Sequence, residues 1–108
     1  MSKFGRDAEW WLRRQYPEIH RRLEKTGWLE TAIRELDQKA GQRFYDQTHR
    51  EINPLPEEEA ERRTLREVVY ITTPDTVDRK GRTVPGNPIW AMAALSEMER
   101  SENTLMGF

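Results

Sequence analysis

The chain has 108 residues, 18 Lys/Arg against 19 Asp/Glu, a formal net charge of -1 and no cysteine. That length implies one domain, the charge balance gives no global attraction to nucleic acid, and the missing thiols exclude disulfide scaffolds, thiolate zinc sites and cysteine nucleophiles. Hydrophobic residues make up 35% and charged residues 34%, with a mean hydropathy of -0.98. Four Trp, three Tyr and three Phe argue against wholesale disorder. Together these describe a folded chain with a thin core, a class that often completes its core against a second copy or a partner.

Charge is unevenly spread. Residues 1–27 carry Lys3, Arg6, Arg13, Arg14, Arg21, Arg22 and Lys25 against four acids, whereas residues 85–108 carry Arg100 against Glu97, Glu99 and Glu102. A basic head and an acidic tail could pair within one chain or between chains. No apolar run approaches the ~18 residues of a membrane span, and the N-terminus lacks a signal-peptide core. A cytoplasmic protein with no membrane partner is the expectation.

The first predicted helix runs from Ala8 to Gln15, capped by Asp7, with Trp10 and Leu12 in the core. Pro17 turns or kinks the chain and opens a second helix to Lys25, which Gly27 closes as a left-handed cap. Trp28 to Ile52 is the clearest element. Its apolar residues Leu29, Ile33, Leu36, Ala40 and Phe44 recur at helical spacing, and Ile52 is counted with the core. Glu30–Arg34 and Glu35–Lys39 are expected ion pairs on the outer face. Gly41 marks either a helix crossing or a break.

Asn53-Pro54-Leu55-Pro56 stops that helix, and Pro56 with Glu57–Glu59 starts another. Val68 to Thr73 is β-branched and aromatic, which leaves strand and helix both open. Thr76 to Val84 reads as a hairpin with Gly81 left-handed at its tip. The last helix runs from Pro88 to about Ser101, and residues 102–108 form a loose tail. The fold class is therefore mainly α: one domain, 1–108, of four to five helices around a long central helix. Its parts are a basic aromatic head (1–27), the central helix (28–52), a helix, hairpin and last helix (56–101), and the tail (102–108).

Candidate chemistry is sparse. His20 and His49 lack the Glu-x-x-His pairing of a bundle metal site, so no metal and no cofactor is expected. Glu57–Glu59 fit a helix start better than an acid–base pair. Lys80-Gly81-Arg82 has too few glycines for a phosphate loop. No catalytic motif is present, and the chain is expected not to be an enzyme.

The favoured function is a small interaction protein (an adaptor, assembly factor or inhibitor) that binds another protein and self-associates. Its expected contact residues are Trp11, Arg13, Arg14 and Arg21 on the head, with Met106 and Phe108 on the tail. The alternative is nucleic-acid binding through Arg13, Arg14, Arg21 and Arg22, whose cations suit phosphates and whose neighbouring aromatics suit bases. The segment from Gly81 through Asn87-Pro88 into Ile89–Leu95 resembles one in small terminase subunits of phages, where a glycine-containing stretch and an Asn-Pro lead into an amphipathic helix. That resemblance covers a small part of the chain and implies DNA packaging as the form the alternative would take.

Overall fold

A computed structural model describes residues 3–107, with side chains described over 3–101. Five helices are joined by one two-stranded hairpin: α1 (Lys3–Gln15), α2 (Pro17–Thr26), α3 (Trp28–Thr48), α4 (Glu57–Thr64), β1 (Thr76–Val77), β2 (Thr83–Val84) and α5 (Ile89–Gly107). The long α3 packs against α1, α2, α4 and α5.

Helix α1 begins at Lys3, well before the expected Ala8, and Asp7 is not its cap. The missing cap comes from another element: the Asp37 carboxylate of α3 accepts a hydrogen bond from the Gly5 backbone N–H at 3.0 Å. Phe4 then packs its ring 5.9 Å from that of Phe44. Pro17 does open α2, and Gly27, at φ 81°, closes it with backbone bonds to Leu23 and Glu24. Only a residue without a Cβ adopts that conformation freely, so glycine sets the tight corner between α2 and α3.

The central helix ends at Thr48, short of Ile52. Thr48 turns its hydroxyl back onto the Phe44 carbonyl at 3.0 Å, and Asn53 takes a left-handed φ of 51°. The Leu55 N–H then reaches the Gln47 carbonyl at 3.0 Å. Ile52 rides on this turn 78% exposed, outside the core in which it was expected. Gly41 neither breaks α3 nor marks a crossing: the helix runs through it, and an added Cβ would meet nothing within 4 Å. Glu30 and Arg34 pair at 3.1 Å. Glu35 and Lys39 do not form the second expected pair.

Helix α4 widens into a π-helical turn, Leu65–Val69, closed by the Tyr70 N–H on the Leu65 carbonyl at 2.7 Å. This places Val69 fully inside, and its carbonyl accepts from the Trp90 indole N–H at 3.0 Å. Burial of Val69 overrides the strand propensity of Val68–Val69. The extended character survives only further on, where Thr72 bridges to Pro88 and Thr73 and Ile89 donate across the same gap. The hairpin follows, pairing Thr76 with Val84 and Val77 with Thr83. Gly81 sits at its tip at φ 78°.

Two apolar clusters make the core. One joins Leu12, Leu23, Leu29 and Ile33 to Ala91, Leu95 and Met98 of α5. The other joins Phe4, Ala8, Leu36, Ala40 and Val69. Trp90 packs against both. Trp10 is 54% exposed and belongs to neither, contrary to expectation, because it lies on the face of α1 opposite Leu12.

The molecule measures 48 × 40 × 24 Å with a radius of gyration of 16.2 Å. A compact chain of this length has a radius near 13 Å. Its accessible surface is 8050 Å², against about 6300 Å² for a compact monomer of this mass.

Candidate interaction surface

An apolar concavity lies between α3, the π-helical turn and α5. It has a volume of about 330 Å³. Leu36, Val68, Ile71, Ile89, Trp90 and Ala93 line it, and Glu35, Lys39, Glu67 and Glu97 stand around it. Ile71 and Ile89 are 38% and 41% exposed. They are held side by side because the Ile89 N–H donates to the Ile71 carbonyl at 3.1 Å. The indole N–H of Trp90 is already satisfied by Val69, so the apolar body of the ring is what remains for the groove. On the rim, Arg43 holds Glu67 through its Nε and one terminal nitrogen at 3.1 and 2.8 Å. That guanidinium keeps the Glu67 carboxyl below the usual carboxylate range. Glu35 and Glu97 make no ion pair among the described residues.

Seven consecutive apolar residues, Ile89–Leu95, carry the signal for this surface in the sequence. Two turns of helix that are apolar all round cannot be covered by a core on one side. Ile89 and Ala93 lie four apart, off the Ala91–Leu95–Met98 stripe, and come to the surface.

The residues expected at the contact surface fall in separate places. Trp11 is half-buried, edge-on to Tyr16 at 5.4 Å and to Tyr70 at 5.3 Å. Burial raises the Tyr70 phenol above its ordinary value. The tryptophan open to solvent is its neighbour Trp10, with the Arg14 guanidinium 4.6 Å above its ring. Arg13 and Arg21 share a shallow hollow with Pro17, His20 and Glu24. Arg21 pairs with Glu18, and Arg22 pairs with Glu99 of α5, each at 3.2 Å. The basic head and the acidic C-terminal part therefore meet within one chain at Arg22–Glu99. Met106 falls on α5, and Phe108 lies outside the described residues.

His20 is buried, its two ring nitrogens 3.9 Å from Glu9 and Glu24. His49 stacks on Tyr45 at 3.9 Å. Among the described residues no three His, Asp or Glu side chains converge as a metal site, and no helix is long and apolar enough to cross a membrane.

None of the family models, curated proteins or solved structures compared with this chain matches it.

Proposed function

We propose that this chain is a small interaction protein, an adaptor, assembly factor or inhibitor, that acts by docking another protein chain rather than by catalysis. The groove between α3, the π-helical turn and α5 supports this reading. It combines an aromatic anchor, two bare isoleucines and a charged rim, the composition of a partner surface. The surface beyond that of a compact monomer, about 1700 Å², exceeds the roughly 800 Å² that one partner buries in a standard interface. Ala93→Arg tests it. Ala93 is exposed in the groove, so arginine there blocks docking without disturbing the core. Tagged wild-type protein should retain a defined partner from host extract, and the variant should lose it. Equal retention by both proteins would refute the reading.

Nucleic-acid binding is the second reading, and the shared position of Arg13 and Arg21 around one hollow supports it. It predicts a gel shift of DNA or RNA that weakens steeply with salt, because phosphate contacts release counterions. Arg13→Glu with Arg21→Glu should abolish such a shift.

A further inference from the structure

The hairpin is an element without a support. Its strands are two residues each, and all four strand residues are exposed. Thr76 faces the same side as Val84, and Val77 the same side as Thr83, so each face carries one bare valine. Val77 is 70% exposed. A two-stranded ribbon alone in water is marginal at best. This one is held at its tip by Asp78, whose carboxylate accepts from the Lys80 and Arg82 backbone N–H groups at 2.9 Å each. The Arg82 side chain is drawn back onto the same carboxylate at 3.2 Å. Arg79 and Lys80 point no charge at any acid among the described residues.

The groove is the complement of this arm. It has an apolar floor at Val68, Trp90 and Ala93, and its rim carries two acids without an ion pair, Glu35 and Glu97, beside one such cation, Lys39. We propose that the chain forms a two-fold dimer by arm exchange: the 76–84 hairpin of each copy lies in the groove of the other, the face bearing Val77 on the floor and Arg79 and Lys80 against Glu35 and Glu97. The inference rests on the groove being a docking surface and names its occupant as a second copy. An exchange of this kind is reciprocal, so both arms and both grooves are filled at once and the assembly closes at two.

Charge reversal on each side provides the test, because Arg79, Lys80, Glu35 and Glu97 are all exposed and their replacement leaves the core intact. In sedimentation equilibrium the wild type should weigh twice its 12.9 kDa chain mass. Arg79→Glu with Lys80→Glu, and separately Glu35→Lys with Glu97→Lys, should each weaken the dimer by at least about tenfold. Mixing the two variants should restore a dimer, since both arm–groove contacts are then charge-matched. A monomeric wild type, a reversal without effect, or a mixture that stays monomeric would overturn the proposal. So would a monomer that retards duplex DNA and loses this with Arg79→Glu and Lys80→Glu, which would make the hairpin a nucleic-acid arm. Each of these leaves the broader docking reading to Ala93→Arg, which fails on its own terms if that variant keeps its partner.

Discussion

The Tyr16 hydroxyl donates a hydrogen bond to the Gly86 carbonyl at 2.9 Å, across a separation of 70 positions. Tyr16 stands between α1 and α2, and Gly86 stands just before α5, so this bond ties the head of the chain to the base of the hairpin. Trp11 adds a second tie by packing edge-on to both Tyr16 and Tyr70. Tyr16→Phe keeps the ring contact and removes the donor. It should lower stability by about 1 kcal/mol, a fall of roughly 5 °C in Tm for a domain of this size. Thermal unfolding followed by circular dichroism measures it.

Gly86 and Gly41 should respond to alanine with opposite signs. A Cβ on Gly86 would stand 1.7 Å from the Thr73 carbonyl oxygen, a backbone atom that cannot swing away. The neighbouring bonds Gly86 N–H to Asp75 and Asn87 N–H to Thr73 hold that approach in place. Gly86→Ala should therefore cost about 1–3 kcal/mol. Gly41 lies within α3 with open space where its Cβ would be. Gly41→Ala should stabilise by about 0.5–1 kcal/mol. Urea unfolding of the two variants beside the wild type gives both values, and the same sign for both would contradict the packing described.

Hairpin stability should depend on acid through Asp78. The Arg82 backbone N–H, with help from Lys80 and the Arg82 side chain, holds this carboxyl below its ordinary value of 3.8. A depressed carboxyl pKa favours the folded hairpin above the unfolded value and loses that contribution as pH falls through the folded one. The tip should thus be unchanged from neutral pH to about 4 and fray below it. Backbone amide shifts of Lys80 and Arg82 against pH report this, and Asp78→Asn should reproduce the acid form at neutral pH.

Local rules made much of the fold legible in the sequence. Proline at the start of α2, glycine in left-handed positions at Gly27 and Gly81, and the helical spacing from Leu29 to Phe44 are all set by near neighbours. What was not legible depends on distant residues. The cap of α1 comes from Asp37 on another helix, so the sequence around Asp7 misplaced the start. Val69 turns inward to pack with Phe4, Ala8, Leu36 and Ala40, contacts that no propensity for strand at 68–69 records. Trp10 and Trp11 are adjacent, and composition alone does not say which one the aromatic pair Tyr16 and Tyr70 will claim. The groove was foreshadowed by the apolar run Ile89–Leu95, but its other wall, at Leu36, Val68 and Ile71, exists only once α3 and the π-helical turn are side by side.

The central claim is that another chain covers the groove around Trp90. Sedimentation of wild-type protein and of Ala93→Arg across a hundredfold range of concentration, alone and with the partner recovered from host extract, tests it most directly. The wild type should form a species heavier than 12.9 kDa and the variant a folded 12.9 kDa monomer. A wild type that stays at 12.9 kDa under every condition, or a variant that assembles as readily as the wild type, would contradict it.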